Sequence, residues 1–177
     1  GNWTASLPCR QPQLYAPVLK ATYQAIKAAS PNALVGFSGL WWLNEQHFRS
    51  FYKYFADNQL TQYFDFANFH YYPCTGSPLD NSSGLSFRQV LSWVHETVPD
   101  KRVWMTEFGW TVSNHSQSGK CIVTPGKQAE YMADVFDVAR TSGVMDRVFW
   151  YTINAPWGND GMSLTKYEVP TSGYYAY

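Results

Sequence analysis

"KRVWMTEFGW", residues 101–110, sets one carboxylate inside a run of aromatic and apolar side chains. Val103, Trp104 and Met105 predict a buried strand, and Phe108, Gly109 and Trp110 bring it to an end. A buried, unpaired carboxylate is costly. Glu107 is therefore either half of a structural ion pair at the strand end or a reactive group presented there.

Reading outward from this strand, helices and strands alternate. "LYAPVLKATYQAIKAA" (14–29) predicts a helix with Leu14, Val18, Ala21, Ala25 and Ala28 on its apolar stripe, supported by Leu19 and Ile26. Pro17 fits its first turn, where a missing N–H costs little. "ALVGFSGL" (33–40) predicts a short strand buried on both faces. A helix over 44–58 follows, with Phe48, Phe51, Tyr52 and Phe55 on one side. The pattern repeats as a strand at 64–72, a helix at 85–98, the strand at 101–110, a helix at 125–143 opened by Pro125 and closed by Gly143, and a strand at 146–154. The tail "VPTSGYYAY" begins a further helical fragment. One α/β domain over 1–177 with a parallel sheet is expected. In such folds chemistry gathers at the C-terminal ends of the strands, where the long polar loops 73–84 and 111–124 fall.

Composition narrows the function. The 13 basic residues balance the 13 acidic ones, without a long charge run, which argues against nucleic-acid and anionic-membrane partners. No stretch approaches the roughly 20 apolar residues of a membrane span. "GFSGL" (36–40) lacks the glycine pattern and lysine of a phosphate loop, and no GxSxG elbow occurs. The histidines at 47, 70, 95 and 115 lack metal-ligand spacing, and neither metal nor cofactor is expected. Aromatic residues make up 18% of the chain, which suits either a dense core or a surface that stacks on sugar rings. Sequons at Asn2, Asn81 and Asn114 lie in segments read as loops, where glycans are tolerated. Together with Cys9, Cys74 and Cys121 they point to a secreted protein. "GNWTASLPC" shows no signal peptide, so one was removed or the chain begins in mid-protein.

Three strand ends carry groups that suit glycoside chemistry: His70 and Tyr72 in "NFHYYP", Glu107 and Trp110 in "WMTEFGW", and Trp150, Tyr151 and Asn154 in "FWYTIN". A Tyr hydroxyl holds a carboxylate ionised, a His bonds a sugar hydroxyl or the carboxylate, and a Trp gives a platform for a pyranose ring. "WMTEFGW" resembles the seventh-strand nucleophile motif of clan A retaining glycoside hydrolases, which are (β/α)8 barrels. "FHYYP" resembles their sixth-strand His-x-Tyr, and "VFWYTIN" their eighth-strand aromatic segment. "YAPVLKATYQAIKAASPNALVGFSGL" is similar to the fourth helix and fifth strand of cellulase-like and β-xylosidase-like members, and "GMSLTKYEVPTSGYYAY" to their closing segment.

The resemblance implies a partial TIM barrel, strands five to eight with their helices. It makes Glu107 the nucleophile, oriented by Tyr72, with His70, Trp150 and Trp110 contacting sugar. It also sets Cys74 and Cys121 in neighbouring loops, where a disulfide is expected, and leaves Cys9 to pair elsewhere. The clan's general acid/base, a Glu after an Asn at the fourth strand end, has no counterpart here. Asn44-Glu45 follows the fifth strand instead, and Glu45 reads as a first-turn acid favoured by the helix dipole. Asn154 stands where an Asp is commoner. Two functions follow: the nucleophile half of a hydrolase acting on β-linked polysaccharide or oligosaccharide, or a non-catalytic secreted glycoprotein on a glycosidase-derived fold that binds carbohydrate or self-assembles. Either way the open half-barrel edge calls for a covering partner, the missing N-terminal half or a second copy.

Overall fold

The structure, a computed structural model, describes residues 11–40, 45–80, 86–112, 121–153, 161–166 and 169–170. In chain order these form α1 (Pro12–Ala29), α2 (Glu45–Asp57), a 3₁₀ turn (Thr61–Tyr63), β1 (Phe66–Tyr71), α3 (Phe87–Thr97), β2 (Arg102–Phe108), α4 (Pro125–Thr141), β3 (Met145–Trp150), β4 (Thr165–Lys166) and β5 (Val169–Pro170). Strands β1, β2 and β3 lie side by side in that order as a parallel sheet, and β4 pairs antiparallel with β5. A mixed α/β architecture of this kind is consistent with part of a glycosidase barrel. Cys9, Asn2, Asn81, Asn114 and Asn154 lie outside the described residues.

Local chemistry accounts for the helix starts. Ser86 caps α3 by accepting from the Gln89 amide, and Thr124 caps α4 by accepting from the Lys127 amide, with Pro125 in the first turn. Gly143, at φ 74°, turns the chain from α4 into β3. On α2, Phe48, Phe51, Tyr52 and Phe55 are all buried, as the spacing predicts. On α1 the expected stripe differs. Ala16 and Leu19 are buried, with Tyr15, Tyr23 and Ile26 packed beside them, whereas Leu14 and Val18 are exposed. Two tyrosines decide that face, because their rings bury more area than the alanines on the predicted stripe.

The core lies between the helices and one face of the sheet. Ala67, Phe69 and Tyr71 from β1 and Val103, Met105 and Phe108 from β2 point into it. Phe37 forms an aromatic hub there, with the rings of Tyr15, Tyr52, Phe55 and Phe64 centred 4.7–5.2 Å away. Much of the aromatic content is thus core. On the opposite face Phe66 stacks on Trp104 at 3.9 Å, and Phe149 continues the row.

The segment 33–40 runs beside β1 but is not a continuous strand. It bridges at Gly36–Phe66 and again at Leu40–Phe69. The Phe37 amide donates to Phe66 O, and the His70 amide donates to Leu40 O. Between these bridges the Tyr52 hydroxyl takes the place of a strand neighbour. It accepts from the Asn68 amide (2.9 Å) and donates to the Asn68 carbonyl (2.6 Å). Ser38, displaced outward, donates its amide to the Tyr15 hydroxyl at 2.9 Å. Two tyrosine hydroxyls, that of Tyr52 buried and that of Tyr15 half-buried, therefore satisfy the backbone groups that a regular ladder would have paired. Burial pushes the Tyr15 hydroxyl up to about 12 and raises that of Tyr52 too, so both stay protonated and able to donate.

Asp65 fastens the entry to β1. Its carboxylate accepts from the Val35 amide and the Tyr23 hydroxyl and pairs with Lys27 of α1 at 2.9 Å. Burial alone would raise this carboxyl, but the Val35 amide and Lys27 together hold it below its ordinary value.

Replacing Tyr52 with Phe removes one hydroxyl and leaves two buried backbone groups of Asn68 unmatched. The expected loss is about 1–3 kcal/mol in urea unfolding. A change below about 0.5 kcal/mol, the scale of a neutral surface substitution, would contradict the inserted-hydroxyl account.

Candidate active site

Alternation along β1 sends Phe66, Asn68, His70 and, just past the strand, Tyr72 to the face away from the helices. In β2 the same rule should separate Thr106 from Glu107. It does not, because the parallel register slips there. Phe69 pairs with Met105 and His70 pairs with Glu107, leaving Thr106 as an extra residue. A bulge of this kind re-aims side chains. Thr106 and Glu107, though consecutive, both reach the imidazole of His70.

The resulting cluster is continuous. The Tyr72 hydroxyl donates to Glu107 Oε2 at 2.8 Å. The same oxygen lies 3.4 Å from His70 Nδ1, an ion pair whenever the ring is protonated. On the other side of the ring, Nε2 is 3.0 Å from Thr106 Oγ1. The Thr106 hydroxyl and amide both approach Asn68 Oδ1, at 3.0 and 3.2 Å. Asn68 is buried, and its own backbone is held by Tyr52. The Glu107 side chain is 38% exposed against 19% for His70, so solvent reaches the carboxylate while the ring behind it is enclosed. Glu107 thus has a donor, a neighbouring imidazole and a route to solvent.

Gly39 completes the enclosure. A Cβ built there would fall inside contact distance of Nε2, Cδ2 and Cε1 of His70, so the ring occupies space that only glycine leaves open. Burial lowers the pKa of His70 below the ordinary imidazole value, and the negative charge of Glu107 opposes that shift. The fold thus favours neutral His70. That contribution is fully present above the unfolded imidazole pKa and is lost as the pH falls toward the folded value.

The structure brings Glu107, Tyr72 and His70 together and sets both tryptophans elsewhere. Trp150 is 7% exposed and packs edge-on against Phe108 in the helix-facing core, its indole N–H donating to Met162 O. Trp110 is 1% exposed and donates to Gly76 O. Alternation explains both positions, since Phe108, Trp110 and Trp150 share the core face. Among the described residues, Tyr151 reaches the cluster, 42% exposed and with its ring 6.5 Å from that of Tyr72. The peptide bond between Tyr151 and Thr152 is cis.

Loops beyond the strand ends are tied together. Cys74 and Cys121 form a disulfide, with Cα atoms 4.5 Å apart. The buried Gln128 side chain donates to Trp110 O and Gly161 O at 2.7 and 3.0 Å, joining α4 to the chain just past β2 and to the segment beyond β3. Among the described residues no group of three His, Cys, Asp or Glu side chains could hold a metal ion, and no helix is long and apolar enough to cross a membrane.

A family model described as glycosyl hydrolase catalytic core matches residues 10–170. The chain belongs to that family. Its fold is similar to that of a GH128 subgroup I endo-β-1,3-glucanase from Amycolatopsis mediterranei, solved in complex with laminaritriose. The TM-score is 0.67 at 15% identity, over 91% of this chain and 63% of that one. A family 39 glycoside hydrolase from Bacteroides cellulosilyticus WH2 gives a TM-score of 0.68 at 19% identity, over 90% and 35%. A Rhizomucor miehei β-1,3-glucanosyltransferase, also solved with laminaritriose, gives 0.63 at 12%, over 91% and 56%. The chain spans less than two thirds of the length of each. No curated protein matches it.

Replacing Glu107 with Gln removes the charge that opposes burial at His70. The His70 pKa, followed by NMR across pH, should fall further below its ordinary value. A rise, or no movement, would show that the carboxylate does not act on the ring.

Proposed function

We propose that the chain carries the nucleophile half of a retaining glycoside hydrolase acting on β-linked polysaccharide or oligosaccharide. The observation that carries this reading is the Tyr72–Glu107–His70 cluster at the C-terminal ends of adjacent parallel strands, within a member of a glycosyl hydrolase family. Segment 33–40, β1, β2 and β3 are then strands five to eight of a (β/α)8 barrel. The aromatic row Phe66–Trp104–Phe149 on the inner face suits a sheet that closes against further strands. The preferred substrate is a β-1,3-linked glucan, in line with the laminaritriose bound by two similar structures.

In this mechanism the Tyr72 hydroxyl donates to Oε2 of Glu107 and leaves Oε1 to attack the anomeric carbon. The Glu107–carbon ester forms as the bond to the leaving oxygen breaks, and a general acid protonates that oxygen. Water, deprotonated by the same group, then releases the sugar and restores the carboxylate. The acid/base carboxyl, about 5 to 5.5 Å from the nucleophile in such enzymes, comes from the remaining half of the barrel. Tyr151 supplies the aromatic floor in place of Trp150. The protein is secreted and carries glycans at Asn2, Asn81 and Asn114.

A 2-fluoro β-glucoside incubated with the intact protein should leave a covalent sugar on the peptide containing Glu107. An adduct on another residue, or undiminished hydrolysis by E107Q, would overturn the assignment. Tyr72→Phe should reduce kcat roughly 10- to 100-fold with the fold retained, since a hydrogen bond to a charged group is worth about 1.5–3 kcal/mol. Unchanged kcat would remove Tyr72 from the mechanism. The rival reading, a non-catalytic carbohydrate-binding or self-assembling module, requires glycan binding or assembly by the intact protein with neither adduct nor turnover.

A further inference from the structure

The polar atoms behind the carboxylate have forced directions. The Thr106 backbone N–H can only donate, and it points at the Asn68 side chain, which fixes the amide oxygen rather than the nitrogen at that place. That oxygen can only accept, so the Thr106 hydroxyl, 3.0 Å away, gives its proton to it. The hydroxyl then has only lone pairs left for His70 Nε2, also 3.0 Å away. The proton in that contact must come from the ring. A neutral imidazole carries one N–H. With it on Nε2, Nδ1 is bare, and Nδ1 is the atom 3.4 Å from Glu107 Oε2.

We propose that Asn68 and Thr106 are positioning residues that lock His70 in the Nε2–H tautomer, so that neutral His70 offers Nδ1 beside Glu107 as an acceptor for a sugar hydroxyl. The acceptor role rests on the glycoside hydrolase reading; the tautomer lock does not. Two lone-pair-bearing atoms 3.4 Å apart repel, and a ligand hydroxyl donating to Nδ1 relieves that repulsion. Protonation relieves it too, by turning Nδ1–H toward Glu107, and so competes with the ligand and weakens binding as the pH falls. Among the described residues, the groups that face the ring are Glu107 and Thr106 from β2 and Gly39 from the preceding segment, with the Tyr72 hydroxyl on the far side of the carboxylate. Glu107 is the charged one among them. Enclosure under Gly39 and between two strands leaves the ring little room to flip and reverse the assignment.

The test is long-range ¹H–¹⁵N NMR of the intact protein with ¹⁵N-labelled histidine, at a pH above the imidazole range, with His70→Gln to assign the signals. Wild type should show protonated Nε2 and bare Nδ1 at His70. Thr106→Val should lose that single pattern, and Thr106→Ser, which keeps the hydroxyl, should retain it. A wild-type Nδ1–H pattern, or an unaltered Nε2–H pattern in Thr106→Val, would overturn the lock. Added laminaritriose should shift the Nδ1 signal while Nε2 stays protonated. Shifts elsewhere in the spectrum without movement of Nδ1 would overturn the acceptor role alone. An absence of any shift would fail the glucan reading together with the acceptor role and leave the tautomer lock standing on the first result.

Discussion

The extra residue in β2 is the constraint on which the cluster depends. In a regular strand Thr106 and Glu107 would face opposite sides of the sheet. One of them would then enter the core beside Met105 and Phe108, and His70 would keep a single partner. The register slip between β1 and β2 places both on the face away from the helices, one at each ring nitrogen of His70. A carboxylate and a hydroxyl are thereby held on either side of one imidazole without long flexible side chains.

That arrangement is anchored from the core outward. The Tyr52 hydroxyl on α2 replaces a strand neighbour of Asn68 and holds its backbone. The Asn68 side chain orients Thr106, Thr106 orients His70, and His70 and Tyr72 converge on Glu107. The innermost link, Tyr52 to Asn68, is buried and the hydrogen bonds beyond it are part-buried, so an unmatched group is costliest at the core end. The same insertion interrupts the neighbouring segment at Ser38, so the irregularity at 33–40 and the order at the carboxylate have one origin. Gly39 belongs to this scheme as well, because the displaced segment passes directly over the ring.

Much of this was legible in the residues. Alternating periodicity located the four helices and three parallel strands to within a few residues, since their apolar spacing is strong. The strand-end residues His70, Tyr72 and Glu107 stood out because polar groups are rare in such strands, and the Cys74–Cys121 pairing came from the resemblance, which set those cysteines in neighbouring loops. Other features were hidden for physical reasons. A bulge leaves no signature in periodicity, so the roles of Thr106 and Asn68 could not be read, although a buried Asn within "FANFHYY" was a signal that a polar partner was needed. The broken strand at 33–40 depends on a hydroxyl 12 or more residues away in sequence. The resemblance placed Trp150 and Trp110 at the site, whereas strand alternation turns them into the core and brings Tyr151 to the cluster. On α1 an apolar spacing of alanines outweighed two tyrosines in the sequence but not in the fold.

In the proposed site the bulge at Thr106 presents Glu107 to a sugar on the face of the sheet away from the helices. A crystal structure of the intact protein with a bound β-glucan oligosaccharide tests it most directly. Thr106 and Glu107 are expected on the same side of β2, with a sugar ring over Tyr151 and an anomeric carbon roughly 3–3.5 Å from a Glu107 oxygen, the spacing of a near-attack geometry. Regular alternation with Glu107 turned toward the helices, or an oligosaccharide seated away from His70 and Glu107, would contradict it.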